Sequence, residues 1–299
     1  MKKYIGVDMG GTNVRAALVL ENGEIIKINK IKTEAQNGPD SVIERVISLI
    51  KDTKGEDTIE GIGIGFPGPI DTINNVPMMS TNIPGLDHYP IGKKLEEAFG
   101  VPVYLDNDAN VAGLAEALVG SGKGLPSIFY VTISTGIGGV LVVDGKCVSG
   151  KHGYAGEIAN IIIDRNREKI NHLNIGAVEN EASGTAVTRK GQAVFGDEIK
   201  HAGNVFDLAL QGNEKAVEIV DNMAYDLAVM FSVISHICEP HAFVLGGGVM
   251  ASKDVFLGKV IENFNNLVHE PMRDVDFLEA KLEEPGLVGA AMLPISRAK

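Results

Sequence analysis

Residues 4–26 read YIGVDMGGTNVRAALVLENGEII: an apolar strand, a polar Gly-rich turn, a second apolar strand, the turn pair Asn22-Gly23 and a third strand. Residues 128–148, IFYVTISTGIGGVLVVDGKCV, repeat the plan, with Ser134-Thr135-Gly136-Ile137-Gly138-Gly139 as the polar turn and Asp144-Gly145 as the second turn pair. Asn-Gly and Asp-Gly between apolar runs mark hairpins, because both central residues of a type I′ turn need positive φ. Two such units imply two similar halves.

Beyond these units, Ser41-Val42-Ile43-Glu44 fits a capping box opening a helix through about Lys54, with Val42, Val46, Leu49 and Ile50 on one face. Ile59 to Phe66 returns as a buried strand ending at Pro67-Gly68-Pro69. Lys215 to Ile237 reads as a long helix stopped at Glu239-Pro240, His241 to Leu245 as a strand entering Gly246-Gly247-Gly248, and Gly286 to Leu293 as a terminal helix. Hairpins followed by alternating helices and strands give mixed sheets covered by helices. The expected class is α/β, with two hairpin-led domains and a cleft between them. The expected division is a small N-terminal domain of residues 1–118, joined by a C-terminal helix over 286–299, and a larger domain of residues 119–285.

At 299 residues the chain can bury two cores of ordinary size. Its 44% hydrophobic and 22% charged residues are typical of a soluble globular protein, and no apolar run approaches the roughly 20 residues of a membrane span. Met1-Lys2-Lys3 leads into an apolar stretch that is too short, and too soon acidic at Asp8, for a signal peptide, so a cytoplasmic protein is expected. Cys147 and Cys238 occur without a CxxC and suggest neither a disulfide framework nor a thiolate metal site. The net charge of −12 argues against coating nucleic acid, which needs clustered Lys and Arg. It leaves room for nucleotides, which backbone amides and magnesium hold locally.

Three loops suit a nucleotide. In Asp8-Met9-Gly10-Gly11-Thr12-Asn13 the glycines let backbone N–H groups approach phosphate oxygens, and the Asp8 carboxylate can hold magnesium beside them, directly or through water. Ser134 to Gly139 has the same character, and Leu245-Gly246-Gly247-Gly248-Val249-Met250 offers bare backbone to an adenine or ribose. Each alone is equally a tight turn. None ends in the GK[ST] of a Walker A loop, and none is a good dinucleotide fingerprint.

In order along the chain, DMGGTNVRAALV, GIGIGFPGPID, LDNDANVAGLAEALVGSGKG, STGIGGV, GKHGYAGEI, ENEASGTAV and LGGGVM make the whole sequence resemble the ROK family of sugar kinases and related repressors. The resemblance implies a two-domain actin-like ATPase (RNase H-like) fold whose interdomain cleft closes around a sugar. It implies ATP phosphate contacts from Gly10, Gly11, Thr12 and Asn13 and from Thr135, Gly136 and Gly138, with the nucleoside near Gly247 and Gly248.

The segment Val103-Tyr104-Leu105-Asp106-Asn107-Asp108-Ala109-Asn110 leaves a strand and enters a helix expected over Val111 to Val119. A helix N-terminus favours an ionised carboxylate, and phosphoryl transfer to a sugar hydroxyl needs a positioned proton acceptor. Asp108 fits that base by resemblance and by chemistry. The alternative for Asp108 is a helix N-cap, a part that Asp106 also suits. The amides of Asn82 and Asn107 match a ring of hydroxyls, and Gly68 lets the chain pass close to a sugar. The resemblance adds Glu157 and Glu179 as the family's remaining carboxylates.

The implied activity is ATP- and magnesium-dependent phosphorylation of a sugar hydroxyl, O6 of a hexose with glucose leading. Allose, N-acetylmannosamine, N-acetylglucosamine, fructose and a β-glucoside are the alternatives. A catalytically dead sugar-binding protein is the reading from another class. The family's repressors carry a helix-turn-helix ahead of the first strand, for which Tyr4 leaves no room, so no nucleic-acid or membrane partner is expected. Relatives commonly form homodimers. The helix around Met223 to Ile237 is a candidate contact, although packing the second domain's core is the stronger reading. One departure stands out. Asn160 occupies the position of a histidine that in the family joins three cysteines on zinc, and Ile170, His172 and Ala177 stand where the cysteines lie. Structural zinc needs four good ligands, so none is expected here, and Asn160 is expected to alter sugar discrimination.

Overall fold

The computed structural model describes residues 1–80 and 82–297. In chain order it begins with β1 (Lys3–Met9), β2 (Asn13–Leu20) and β3 (Ile25–Lys32), an antiparallel meander. The β2–β3 turn departs from the expected type I′ form: only Gly23 has positive φ, 90°, and its N–H bonds Leu20 O at 2.9 Å. Asn22 instead holds the turn with its side chain, Oδ1 accepting from Glu24 N–H at 3.1 Å. At Asp144-Gly145 both φ values are positive, 49° and 72°, as a type I′ turn requires.

Helix α1 (Pro39–Lys54) starts two residues before the expected Ser41 cap, with Gly38 as its N-cap. The fixed φ of Pro39 suits the first helical position, so the Ser41–Glu44 pattern falls inside the helix. Val42, Val46, Leu49 and Ile50 are buried as expected. Next come β4 (Ile62–Phe66), a short hairpin of β5 (Ile70–Asp71) and β6 (Val76–Pro77), α2 (Ile91–Phe99), β7 (Val103–Asn107) and α3 (Asp108–Leu118). Helix α3 thus begins at Asp108 rather than Val111, and its N-cap is Asn107, not Asp106 or Asp108.

The second half repeats the hairpin with β8 (Ser127–Ile133), β9 (Ile137–Val143) and a two-residue β10 (Lys146–Cys147). Helices α4 (Glu179–Ala182), α5 (Gly184–Phe195), α6 (Ala202–Leu210) and α7 (Glu214–Cys238) follow, then β11 (Ala242–Gly246), α8 (Lys253–Leu267), β12 (Asp276–Glu279) and α9 (Pro285–Arg297). Positions 298 and 299 of the expected terminal helix lie outside the described residues. The two five-stranded sheets share one plan, β3-β2-β1-β4-β7 and β10-β9-β8-β11-β12. Among the described residues no helix is long and apolar enough to cross a membrane.

Two compact units result. The first comprises Met1–Ile128, Val140–Ala155 and the chain from Ala280 on; the second comprises Phe129–Gly139 and Gly156–Glu279. In the first, α9 lies against the sheet so closely that a Cβ at Gly63 would sit 1.8 Å from Ala290 O, and one at Gly289 would sit 1.6 Å from Val111 O. Those approaches fix the sheet, α9 and α3 as one packed body.

In the second unit, Phe231, Phe243 and Phe277 meet with ring centroids 4.8 to 5.2 Å apart. The α7 residues Met223, Leu227, Met230 and Phe231 are buried there, while Tyr225 and Ile237 are exposed. Residues 161–178 are held by polar cross-links. Ile163 N–H bonds Gly176 O at 2.9 Å, Asn171 and Asn180 exchange amide bonds at 2.9 Å each, and Asn160 Oδ1 accepts from Asn174 N–H at 2.7 Å. Arg167 donates to Asp164, Glu181 and Asp226, and the last two are buried.

Candidate active site

In the first unit the turn between β1 and β2 is drawn tight by Gly10 N–H to Asn13 O at 3.0 Å and by Thr33 Oγ1 to Gly10 O at 2.6 Å. A Cβ at Gly11 would lie 2.7 Å from Asn82 O, so the glycine lets the Asn82 loop pack directly on this turn. Asp8, next to last in β1, lies opposite Arg15, whose guanidinium forks between Asp8 Oδ2 at 2.8 Å and Glu284 at 2.7 Å. Among the described residues Asp8 Oδ1 has no such partner, which leaves one hard oxygen for a cation. Magnesium takes one or two carboxylate ligands beside substrate phosphates, so Asp8 fits it.

Asn107 joins the remaining first-unit candidates. Its Oδ1 caps α3 by accepting from Ala109 N–H at 2.8 Å, and its Nδ2 donates to Gly68 O at 3.2 Å. Gly68 has φ of 126° and passes close to Met79 O. Asp108 is the first residue of α3, its Oδ1 also accepting from Ala109 N–H. Although Asp108 is open to solvent, loss of hydration among its neighbours is the first cause that raises its carboxyl above the ordinary aspartate range. The Ala109 N–H opposes that rise and the charge of Asp8 adds to it. A base poised above the usual carboxylate range is better matched to neutral pH.

The second unit carries the other half of the candidates. Its loop from Ser134 to Gly139 is anchored by Gly184 N–H to Ser134 O at 2.8 Å and by Ile137 N–H to Glu179 Oε2 at 2.9 Å. Beneath it lies a cavity of about 640 Å³ whose walls include Thr135, Thr188, Phe206, Gly248 and Val249. Gly247, with φ of 93°, approaches Ile133 O so closely that a Cβ would sit 2.3 Å away. Arg189 and Lys200 line the cavity, and no Asp or Glu does among the described residues, which suits an anionic ligand with an apolar ring.

Gly136 and Gly138 belong to the loop and the start of β9. Glu157 precedes a short 3₁₀ turn, Ile158–Asn160, and Glu179 opens α4. The candidates therefore divide between the units: Asp8, Gly10 to Asn13, Gly68, Asn82, Asn107 and Asp108 in the first, the others in the second. Sequence reasoning missed the wall made by α5, α6 and their connection, Thr188, Arg189, Lys200 and Phe206, because the spacing there carries no motif. It also missed Arg15, which the hairpin register places opposite Asp8.

A family model described as the ROK family matches residues 4–297. The chain is 30% identical over 306 residues to the glucokinase of Thermotoga maritima, covering 97% of this chain and 96% of that protein. It is 29% identical over 291 residues to an N-acetylmannosamine kinase of Escherichia coli, covering 97% of each. A solved structure of a ROK hexokinase from Thermus thermophilus superposes with a TM-score of 0.87, at 31% identity over 97% of both chains. A ROK family glucokinase from Streptomyces griseus, in complex with glucose and AMPPNP, does so with 0.76, at 27% identity over 97% of this chain and 98% of that one. The chain belongs to the ROK family, with the two-domain actin-like ATPase fold of its kinases.

Proposed function

We propose that the protein transfers the γ-phosphate of ATP to O6 of a hexose, glucose first, with Asp108 as general base. It is an ATP:sugar phosphotransferase. The observation that carries the assignment is Asp108 at the first turn of α3, with a carboxyl raised in part by the charge of Asp8, next to Asn107, whose amide bonds Gly68 O. The Asp108 carboxylate takes the hydroxyl proton as the O6–Pγ bond forms, the bond from Pγ to the β,γ-bridging oxygen breaks, and ADP leaves. Asn82, Asn107, Glu157, Asn160 and Glu179 bind and orient the sugar. The nucleoside enters the second unit's cavity by Gly247 and Gly248, and its phosphates meet the N–H groups of Gly10 to Asn13 and Thr135 to Gly138. Magnesium held at Asp8 would neutralise phosphate charge. No structural zinc is assigned, because Ile170 and Ala177 offer no ligand atoms. ATP as donor supports a cytoplasmic setting.

A dead sugar-binding protein is disfavoured because Asp8, the Gly10–Asn13 turn and Asp108 are all in place. The test is ADP release over a panel of sugars, followed by identification of the phosphorylated position. Glucose is expected to turn over fastest and to give the 6-phosphate. Absence of sugar-dependent ADP release across the panel would overturn the kinase reading. Preference for N-acetylmannosamine would overturn only the sugar.

A further inference from the structure

The first unit contains a buried ion pair that the phosphoryl transfer does not itself use. Asp106, with a side chain only 2% exposed, accepts from Arg297 through Oδ2. Its other oxygen accepts from Asn107 N–H at 2.8 Å and from Asn110 Nδ2 at 2.7 Å. Arg297, in the last turn of α9, also donates to Leu105 O at 3.0 Å and Thr72 O at 3.5 Å, and stands 5.9 Å from the ring centre of Tyr104. One guanidinium thereby ties three positions of the first unit: the β5–β6 hairpin, the end of β7 and the carboxylate at the base of α3.

Each further link is a hydrogen bond. Asp106 fixes the backbone of Asn107 and, one turn on, the side chain of Asn110; Asn107 caps α3 and bonds Gly68 O. Asp108 follows Asn107 directly. Two carboxylates two residues apart thus have opposite duties, Asp106 buried and neutralised for position, Asp108 exposed for chemistry.

We infer that Arg297 is a positioning residue for the base: by neutralising Asp106 it holds the Asn107 cap that aims Asp108 at the acceptor hydroxyl. The inference rests on the assignment of Asp108 as base. The other titratable groups at this small cavity are Lys146 and Cys147, the latter a half-buried residue whose thiol bonds Asn110 O and is pushed well up by loss of hydration. Arg297 Nη2 meets Asp106 Oδ2 directly, which makes it a counterion of that carboxylate.

The consequence is specific. Without Arg297, Asp106 is left a buried carboxylate without this counterion, a costly arrangement that local movement relieves. The links from Arg297 to Leu105 O and Thr72 O are lost with it, so the corner from β7 into α3 is held less firmly and the base loses its aim.

The experiment compares Arg297→Met, Arg297→Lys and Arg297→Met/Asp106→Asn, each assayed well below its own melting temperature, with Asp108→Asn as the control for the base. In Arg297→Met, kcat is expected to fall about 10- to 100-fold, the scale of a small misplacement, with both KM values within about threefold of wild type. In the double variant Asn keeps the acceptor oxygen without the charge, so part of kcat is recovered. Arg297→Lys keeps the charge but loses the second arm, and kcat falls by several-fold.

Wild-type kcat in Arg297→Met, with only its melting temperature lowered, would overturn the inference and leave Arg297 as a structural clamp. If Arg297→Met does not fold, an unchanged kcat in Arg297→Lys overturns it equally. Full turnover by Asp108→Asn removes the base assignment itself, a result separable from either.

Discussion

Replacing Arg167 by Met removes the fork that holds residues 161–178 to α4 and α7. In the native protein its Nη2 meets Asp226 Oδ1 at 2.9 Å, its Nη1 meets Glu181 Oε2 at 2.9 Å, and its Nε meets Asp164 at 3.1 Å. The carboxylates of Asp226 and Glu181 are 3% and 6% exposed. Glu181 keeps a cation after the substitution, because Lys190 Nζ lies 2.9 Å from the same oxygen. Asp226 loses its only short-range ion pair among the described residues. Removing one partner of a buried pair costs about 3–5 kcal/mol, and the surviving Lys190 places this case near the lower end, about 3 kcal/mol. For a domain of this size that corresponds to a drop of about 6–12 °C in melting temperature. Calorimetry of Arg167→Met measures it, and Arg167→Met/Asp226→Leu is expected to regain much of the loss, since an apolar pair replaces an orphaned charge. The same samples are expected to contain no stoichiometric zinc by elemental analysis and to melt unchanged in a chelator. A loss under about 2 °C in Arg167→Met, or a chelator-sensitive wild type, would show that something other than this fork orders the segment.

The raised carboxyl of Asp108 fixes two signs. The base must be ionised, so the acid limb of kcat/KM is expected above the ordinary aspartate pKa of about 3.9, and a limb at or below that value would contradict it. A carboxyl raised in the fold stabilises only while protonated, and that contribution is lost as pH rises through the folded pKa; Asp108→Asn is therefore expected to melt above wild type at neutral pH while kcat falls about 10² or more. Gly289→Ala forces a Cβ to 1.6 Å from Val111 O, and the melting temperature should drop by several degrees, overpacking of this kind costing about 1–3 kcal/mol; an unchanged midpoint would mean that α9 and α3 separate freely. Asn160→His removes the acceptor for Asn174 N–H and places a larger ring at the proposed sugar site, so the ratio of kcat/KM values among sugars is expected to change, and an unchanged profile would take Asn160 out of the discrimination.

The fold was legible because its deciding signals are local. Gly-rich turns between apolar strands recur at 4–26 and 128–148, and the structure answers with two sheets of one plan. What was illegible at that level is where a competing local preference won. The Ser41–Glu44 pattern is a sound cap, yet Pro39 offers a preorganised start two residues earlier and the helix begins there. Asp106 and Asp108 are equally good caps by composition, and Asn107 takes the role. Asp106 is instead paired with Arg297, which lies 191 residues further along the chain. A partner that distant leaves no periodicity to read. The same reason hid the fork of Arg167 on Asp226, 59 residues away, and the bond of Glu179 to Ile137, 42 residues away. That last bond alters what Glu179 can do. One of its oxygens is committed to the phosphate-type loop in the same unit, so any hydroxyl it binds is felt directly by the backbone of Ile137. A carboxylate that a motif alone assigns to the sugar is thus physically shared between the proposed acceptor and donor sites.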